Sequence, residues 1–471
     1  MDVVVVGAGM NGLATALLLA KDGHAVTVLE RDPAPPPSPG EAWDAWERRG
    51  VNQFRMLHFL QPRWRDLAEA EMPEVVEALD AAGALRFNPL TLIPPEMIGG
   101  VRESDAGSTA LTARRPVVEA AMAAVVDATP GITVERGVAV SGLATGTPAE
   151  SADAVPHVIG VTTESGDVVT GDLVVDTSGR RSPLTAWLVA AGARPPIEEE
   201  EDLGFQYYGR HFRSADGSLP MMLGGLLQPY DSVSILMLPA DNGTWGVGVI
   251  TSARDAEMRK LRDNDTWMRV VRSFPLVAHW TEGEPLEDVT TMAKIPDRYR
   301  RFVVDGAPVA TGVLAVGDSW ACTNPSLGRG ITMGLMHAVA LRDTLRTDVV
   351  NDPYKLALAW DDATEATVTP WYQATLTFDR HRLAEITAQI AGERYEPGDP
   401  QWEITKALFF AAGQDGDILR GMLRFAGLQH TAEEMLAQPG LLDKVIELGS
   451  GWRDAPAMGP SRQELVALVN A

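Results

Sequence analysis

The first thirty residues constrain the fold of this chain more than any other stretch. Residues 3–6 are four consecutive valines, a β-branched run suited to a buried strand. A G-x-G-x-x-G turn follows at 7–12, and residues 13–21 are rich in Ala and Leu, so they predict a helix. A second apolar stretch at 25–29 ends on Glu30. This order predicts a parallel βαβ unit.

The three glycines of this turn have separate physical roles. Gly7 permits the tight bend, Gly9 lets backbone approach a pyrophosphate, and Gly12 lets the helix pack closely on the strand. The helix N-terminus offers free N–H groups and a partial positive charge to phosphates. Glu30 follows Gly12 at a distance suited to accepting hydrogen bonds from an adenosine ribose. We therefore predict a dinucleotide site; a glycine turn used only for packing is the alternative.

Composition narrows the classes of partner. The chain has 471 residues, which predicts two or three domains, and its net charge of −24 argues against nucleic acid and anionic membranes. No apolar run approaches the ~20 residues of a membrane span. One cysteine, Cys322, and a first strand that leaves no room for a signal peptide favour a cytoplasmic protein. Eight histidines without a His/Cys cluster predict no metal.

Patterns along the rest of the chain predict a mixture of βα units, an antiparallel sheet and a helical end. The proline-rich stretch 31–40 predicts a stiff loop, and the acidic run 198–202 predicts a solvated linker. Predicted strands lie at 90–98, 132–134, 138–143, 158–163, 168–170, 172–176 and 313–316, and several more within 203–252. Predicted helices lie at 61–82 with a break near Pro73, at 117–128, up to residue 191, at 256–274, at 331–346, and from 353 onward.

Three separated segments resemble one family. The turn 7–12, Asp176 with its Thr-Ser-Gly-Arg-Arg-Ser-Pro tail, and Gly317-Asp318 recur in this order in the single-component flavoprotein monooxygenases with the p-hydroxybenzoate hydroxylase fold. The chain looks most similar to an actinobacterial branch of FAD-dependent oxidoreductases, whose R-P-x-x-E stretch appears at 115–119. That branch also carries G-V-P-Q-x-x-H-x-H; residues 50–58 keep Gln53, Arg55 and His58, while Asn52 replaces the proline and Met56 the first histidine.

The resemblance implies a set of FAD contacts. The turn 7–12 would hold the pyrophosphate, Glu30 the adenosine ribose and Asp318 the ribityl hydroxyls, with the amides of Ile331 and Thr332 at the flavin N1/O2 edge. Reduction places negative charge at that edge, where helix N-terminal donors stabilise it. The full set of implied cofactor residues is Gly7, Gly9, Met10, Asn11, Gly12, Glu30, Arg31, Arg115, Val138, Asp176, Gly179, Gly317, Asp318, Pro325, Gly328, Gly330, Ile331 and Thr332.

Other residues have two readings each. His58 and Arg55 would lie near the flavin with a catalytic or substrate role, or serve only packing. Asp176 would bridge the FAD and nicotinamide sites or hold a structural turn, and Arg115 would contact the cofactor or lie on the surface. Arg329 adds positive charge near the flavin or lies on the surface. We interpret Cys322 as a packing residue, because it has no partner cysteine.

The predicted fold class is α/β, with a Rossmann-type, glutathione-reductase-like FAD-binding domain, an antiparallel β-sheet substrate domain and a helical C-terminal region. We assign residues 1–90, 110–195 and 296–348 to the first, 91–109 and 196–295 to the second, and 349–471 to the third. Only one dinucleotide-binding unit is present in the sequence, so NAD(P)H would bind transiently.

The implied activity is hydroxylation or epoxidation of a small organic substrate with NAD(P)H and O2 through a C4a-(hydro)peroxyflavin. Three alternatives remain. The first is a reductase of the geranylgeranyl reductase type, and the second is a flavin-dependent halogenase. Against the halogenase, residues 40–82 contain no lysine and no W-x-W-x-I-P segment occurs. The third is a non-redox FAD-binding protein.

Overall fold

A parallel sheet of five strands forms the centre of one half of the molecule. The structure is a computed structural model that describes residues 1–48, 50–146, 155–455 and 458–471. Across this sheet the strands run in the order Val313–Ala315, Leu173–Asp176, Asp2–Val6, Ala25–Glu30 and Ile132–Arg136. Val6 lies opposite Leu29 on one side and Asp176 on the other, and Asp176 lies opposite Ala315. Three strands that are far apart in sequence therefore end at one edge.

Helices cover this sheet and bury its apolar faces. Those in contact with it or with each other on its two sides are Met10–Lys21, Pro62–Glu71, Pro73–Ala81, Arg115–Ala128, Gly330–Leu345 and Pro353–Thr367. Leu17, Val28 and Leu341 are among the core residues with no accessible surface. Pro62 and Pro73 each begin a helix, where a missing N–H costs nothing. The predicted break near Pro73 is confirmed.

A six-stranded antiparallel sheet forms the second large sheet of the molecule. Its strands are Phe205–Arg213, Leu227–Pro229, Ser234–Pro239, Thr244–Ser252, Glu284–Pro285 and Thr290–Ala293. Residues of its outer face, including Tyr208, Phe212 and Val247, pack on Trp267 of helix Asn264–Val271. The inner face carries Tyr207, Gly209, His211, Leu236, Gly246, Gly248 and Ile250, as the strand register requires. This inner face meets the parallel-sheet half through Met56 and Leu57.

Smaller sheets and a helical region complete the fold. The remaining strands are Leu85–Phe87, Ala110–Thr112, Val140–Thr145, Val158–Thr163, Val168–Thr170, Ile197–Glu201, Asp297–Arg301, Val303–Val304, Ala307–Pro308 and Ala321–Cys322. The remaining α-helices are Ala42–Ala45, Leu184–Ala190, Thr369–Ile390, Pro400–Ala411, Gly416–Ala426, Ala432–Leu436, Leu441–Gly449 and Arg462–Asn470. Single 3₁₀ turns join many of these elements. The predicted mixed α/β class with a Rossmann-type sheet, antiparallel sheets and a helical C-terminal region is confirmed; the domain bounds stay a prediction.

Three local predictions are wrong. Residues 90–98 form no strand but two 3₁₀ turns, Pro89–Leu92 and Pro95–Ile98, because prolines interrupt the run. The acidic run is no linker: Ile197–Glu201 is a strand paired with Asp297–Arg301, where Glu198 lies opposite Arg300 and Glu200 opposite Arg298. Residues 256–274 contain a 3₁₀ turn, Glu257–Arg262, and only a short α-helix, because Asp263 caps a new helix there.

Neither a membrane-spanning helix nor a metal-binding cluster occurs among the described residues. No helix in the described ranges combines the length and apolar character that crossing a bilayer needs. No group of three or more His, Cys, Asp and Glu side chains in the described part of the chain is arranged to hold a metal ion.

Candidate cofactor site

The glycine turn 7–12 joins the first strand to the first helix in the predicted way. Gly7 has φ +103°, and its N–H donates to the carbonyl of Leu29 at 2.8 Å. A Cβ on Gly12 would lie 2.0 Å from the carbonyl oxygen of Gly7, so the helix packs too closely for a side chain. A Cβ on Gly9 would meet no atom within 4 Å. Gly9 therefore faces open space at the N-terminus of helix Met10–Lys21, which has no side-chain cap.

Glu30 anchors the end of the second strand beside this turn. One carboxylate oxygen, Oε2, accepts from the N–H of Ala8 at 2.9 Å, and Oε1 accepts from the N–H of Asp32 at 3.0 Å. The N–H of Val138 donates to the backbone carbonyl of Glu30 at 2.9 Å. Arg31 lies with its guanidinium against Gly50. Glu30, Arg31 and Val138 are thus brought to one end of the predicted dinucleotide site.

Arg48 is a buried residue that the sequence patterns missed. Its guanidinium contacts the carboxylates of Glu30 at 2.7 Å, Asp32 at 2.9 Å and Glu119 at 2.8 Å. Burial alone would lower the pKa of Arg48, but the surrounding carboxylates, Glu119 and Glu30 foremost, raise it above its ordinary value. The side chain is therefore a permanent cation held by three acids.

Arg115 continues this network toward His58. Its Nε donates to Glu119 at 2.6 Å, and its Nη1 lies 3.4 Å from Nε2 of His58. Burial favours neutral Glu119, yet the charges of Arg115 and Arg48 hold its pKa below the usual value. The Arg115 side chain is only 11% exposed, so the surface alternative for Arg115 is wrong.

His58 is neutral in this setting. Its Nδ1 lies 2.8 Å from the carbonyl of Met56, which only an N–H can satisfy, so Nε2 is left as an acceptor toward Arg115. Burial and the Arg115 charge lower the pKa of His58 to about 3. Arg55 points elsewhere: it lies 5.1 Å over the Trp43 ring and donates to the carbonyl of Trp46.

Asp176 holds a turn. It is 1% exposed, and its carboxylate accepts from the N–H of Ser178 at 2.9 Å and from the Ser182 hydroxyl. Burial raises its pKa against the opposing effect of these bonds. The Thr177 hydroxyl donates to the carbonyls of Val6 and Gly7, so this segment holds the glycine turn in place. Gly179 has φ +84°. These contacts favour the structural reading of Asp176.

Gly317 and Asp318 sit at the carboxyl end of the neighbouring strand. The N–H of Gly317 donates to Nδ1 of His337 at 3.1 Å, and the Asn11 side chain is wedged against Gly317 and Gly334. Burial lowers the pKa of His337 to about 3, so the ring is neutral and its Nε2–H faces Thr364 at 3.0 Å. Asn11 and His337 therefore fix the backbone that presents Asp318. No sequence pattern singles out His337 beyond its place on the long helix.

Asp318 faces the start of helix Gly330–Leu345. A Cβ on Gly330 would come within 4.0 Å of Oδ1 of Asp318. A small cavity lies here, lined by Gly317, Asp318, Trp320, Ala321, Thr323, Gly330, Met333, Gly334, His337 and Val368. Burial raises the pKa of Asp318, while the positive charges of Arg115, Arg298 and Arg180 oppose the rise. The positive charge of Arg115 therefore acts on the carboxyl group of Asp318.

The turn 324–330 leads directly into that helix. Pro325–Leu327 is a 3₁₀ turn, Gly328 has φ +62°, and the helix has no side-chain cap at its N-terminus. Thr332 is buried, and its hydroxyl has no partner among the described residues. Arg329 is 3% exposed, so its surface alternative is wrong. Cys322 is 3% exposed, as expected of a packing residue.

The residues present fit a dinucleotide cofactor. Gly9 leaves room for a pyrophosphate, two uncapped helix N-termini supply N–H donors, and Asp318 lies where hydroxyl groups of a linker would reach it. The Thr332 hydroxyl at the start of the second helix is a further polar group without a partner in the described part of the chain. In these respects the arrangement suits a dinucleotide.

Comparison with known proteins agrees with this description. The family model described as FAD dependent oxidoreductase matches residues 2–43, which contain the glycine turn, the first helix and Glu30. Protein Rv3254 of Mycobacterium tuberculosis (strain ATCC 25618 / H37Rv) is 27% identical over 405 residues, covering 81% of each chain. The family match supports FAD as the dinucleotide.

Several solved structures share the fold. The p-nitrophenol 4-monooxygenase PnpA from Pseudomonas putida DLL-E4 aligns over 91% of this chain and 98% of its own, with 16% identity and a TM-score of 0.58. PqsL, a probable FAD-dependent monooxygenase from Pseudomonas aeruginosa, aligns over 82% and 99%, with 16% identity and a TM-score of 0.56. The Diels-Alderase PyrE3 of pyrroindomycin biosynthesis aligns over 92% and 81%, with 16% identity and a TM-score of 0.59. At this identity the three establish a common fold.

Proposed function

We propose that this protein is an FAD-dependent monooxygenase that acts on a small organic substrate with NAD(P)H and O2. One observation carries the proposal. The register of the parallel sheet places Val6, Asp176 and Ala315 side by side, so the glycine turn and Asp318 leave the same edge of the sheet. A dinucleotide lying along that edge would reach from Glu30 to the start of helix Gly330–Leu345.

The chain's own residues would bind and orient the cofactor. The free N–H groups at the N-terminus of helix Met10–Lys21 would hold the pyrophosphate. Asp318 would accept hydrogen bonds from the hydroxyl groups of the ribityl chain. When bound, FAD would supply the redox chemistry. The N-terminal amides of the second helix would stabilise negative charge at the ring edge, and Arg115, within the same surroundings as Asp318, adds a positive charge.

The substrate cleft would lie against the inner face of the antiparallel sheet. Gly209, Gly246 and Gly248 present bare backbone there, and the side chain of Leu57 fills the space: a Cβ on Gly246 would lie 2.5 Å from Cγ of Leu57. The next residue, His58, faces Arg115 on the cofactor side. Segment 53–58 thus lies between the sheet and Arg115, so the substrate would bind next to this segment, where it is shielded from water and near the reacting ring.

His58 would act as a neutral group. With its Nδ1–H bonded to Met56, it has an acceptor nitrogen and no proton to give at physiological pH. It can orient a substrate hydroxyl or hold Arg115 in place. Arg55, stacked on Trp43, would shape the cleft wall rather than touch the cofactor.

The test is spectroscopic. We expect the purified protein to be yellow or to take up FAD, to lose the flavin absorbance with NADH or NADPH, and to regain it in air with O2 uptake that depends on substrate. Reduction by NAD(P)H without substrate-dependent O2 uptake would favour a reductase. A protein without affinity for FAD would contradict the proposal.

A non-redox role is the second candidate. PyrE3, described as a Diels-Alderase, shares the fold with a TM-score of 0.59, as high as that of the monooxygenase PnpA. The same fold therefore accompanies a cycloaddition activity in one neighbour. The spectroscopic experiment separates the two functions: bound FAD that resists reduction by NADH, NADPH and photochemical donors, together with conversion of substrate without O2 uptake, would favour this second candidate.

A further inference from the structure

The turn 324–330 is held by side chains from three other elements. The Tyr207 hydroxyl donates to the side-chain oxygen of Asn324. The backbone N–H of Asn324 donates to Oδ1 of Asp297 at 2.8 Å. Ser326 donates its hydroxyl to Oδ1 of Asp379. All of these side chains are less than 10% exposed. The turn is therefore fixed from the antiparallel sheet, from strand Asp297–Arg301 and from helix Thr369–Ile390.

Helix Thr369–Ile390 contacts the turn through two residues on one of its faces. Thr375 and Asp379 are four residues apart, so they lie on the same side of the helix. Nη1 of Arg329 donates to Oγ1 of Thr375 at 3.3 Å, while Asp379 accepts from Ser326. The Arg329 guanidinium also lies 4.9 Å over Phe425. This helix thus holds the turn at Ser326 and at Arg329. It lies outside the three segments that the sequence analysis assigned to the cofactor domain.

Asp379 is fully buried at the centre of this arrangement. It has no accessible surface, and its second oxygen, Oδ2, has no partner among the described residues. Burial raises the pKa of Asp379 well above its ordinary value, and nearby Asp297 adds to the effect, while the Ser326 bond and Arg329 oppose it. An asparagine would keep the shape of this side chain and an acceptor oxygen toward the Ser326 hydroxyl.

We propose that Asp379 is a positioning residue of the cofactor site. Through Ser326 it fixes the turn 324–330, and thereby the direction in which the N-terminus of helix Gly330–Leu345 points toward the bound cofactor. The proposal rests on the proposed function for the identity of the ligand, but the hold on the turn is a property of the chain alone.

Four variants test the proposal. Asp379→Leu keeps the branched arrangement of heavy atoms but removes the acceptor, and Ser326→Ala removes the donor. Asp379→Asn retains an acceptor oxygen. Thr387→Val is the matched control, because the Thr387 hydroxyl bonds within the same helix to the carbonyl of Leu383, away from the turn. Two quantities are measured: amide hydrogen exchange of residues 326–332 in the FAD-free chain, and the dissociation constant for FAD from quenching of its fluorescence.

We expect Asp379→Leu and Ser326→Ala to speed exchange in the turn and to weaken FAD binding about tenfold, the effect of one lost buried hydrogen bond. Asp379→Asn and Thr387→Val should stay within about twofold of wild type. Wild-type exchange in both Asp379→Leu and Ser326→Ala would overturn the proposal, as would an Asp379→Asn variant that is as impaired as Asp379→Leu.

Two complications leave the test decisive. If Asp379→Leu does not fold, Ser326→Ala removes a single hydroxyl and gives the same reading. If wild type binds no FAD, the proposed function fails, and exchange in the FAD-free chain still decides whether Asp379 fixes the turn.

Discussion

Five charged or titratable side chains form one connected chain from the second strand to His58. Glu30 contacts Arg48, Arg48 contacts Glu119, Glu119 contacts Arg115, and Arg115 meets His58. Removing a member of a buried ionic network leaves its neighbour without a partner, which costs more than the pair contributes. We infer that the orientation of Glu30 and of His58 is coupled through Arg48 and Arg115.

The first prediction concerns Glu30→Ala. We expect the free energy of unfolding to fall by about 1–3 kcal/mol, since Arg48 keeps Asp32 and Glu119 but the Ala8 and Asp32 amides lose their acceptor. Binding of FAD should weaken at least tenfold. Denaturant titration and FAD fluorescence measure the two effects. The control is Glu74→Ala, which removes an exposed pair with Lys21 and should change neither quantity appreciably. Unchanged FAD affinity in Glu30→Ala would remove the ribose assignment.

The second prediction concerns His58→Ala. We expect turnover to be lost while FAD stays bound, because the hydrogen bonds of His58 go to Arg115 and to the carbonyl of Met56. Turnover per bound flavin, with FAD content from absorbance, is the measurement. Wild-type turnover would end the assignment of His58 to catalysis.

Sequence patterns pointed to four members of this chain, Glu30, Arg115, Glu119 and His58, and missed Arg48. Glu30 and Arg115 belong to motifs with fixed spacing, so their places follow from local order. Arg48 sits in a stretch without periodicity, and its three carboxylate partners come from residues 30, 32 and 119. Only the packing of the Arg115–Ala128 helix against segment 42–48 brings them together, and that packing is not encoded in any short window.

At the scale of elements, the glycine turn allows a direct comparison of two glycines. In Gly9→Ala the new methyl meets no protein atom, so we expect the wild-type unfolding free energy and FAD binding at least tenfold weaker. In Gly12→Ala the methyl would lie 2.0 Å from the Gly7 carbonyl, so we expect stability to fall by about 2 kcal/mol or more. Thermal unfolding and FAD titration give both readings.

Gly142→Ala is the control for this pair. Its Cβ also meets nothing within 4 Å, and it lies on the separate strand Val140–Thr145. We expect it to match wild type in FAD affinity. Equal FAD affinity in Gly9→Ala and Gly142→Ala would contradict the pyrophosphate assignment.

Elements with strong local patterns matched the prediction, and those defined by a partner did not. The long helix was predicted at 331–346 and runs Gly330–Leu345, because its apolar positions repeat at helical spacing. The run of glutamates at 198–201 has no strand pattern of its own. It becomes a strand because arginines on Asp297–Arg301 lie opposite and offset the acidic charges.

At the scale of the whole molecule, two histidines with lowered pKa values predict acid sensitivity. The pKa values of His58 and His337 are lowered to about 3 from an ordinary 6.5. Below pH 6.5 the unfolded chain binds protons at these sites and the folded chain does not, so the unfolding free energy falls as the pH drops. Above pH 6.5 they contribute no pH dependence. At pH 5 we expect a loss on the order of 1–2 kcal/mol per histidine.

Denaturant titrations between pH 5 and 8 measure this dependence. The double variant His58→Gln/His337→Gln should show a smaller loss of unfolding free energy between pH 7 and pH 5 than wild type. An equal loss in the two proteins would show that other groups cause the acid sensitivity.

The order of strands in the parallel sheet bears on how the chain reaches its native state. The central strand, Asp2–Val6, leaves the ribosome before the other strands of this sheet. Its neighbour on one side begins only at Leu173, and the outer strand beyond that neighbour begins at Val313. An exposed hydrophobic edge must therefore persist through much of synthesis. Pairings this distant in sequence close slowly and invite association between nascent chains. We expect yields of native protein during expression to depend on temperature and on chaperone supply.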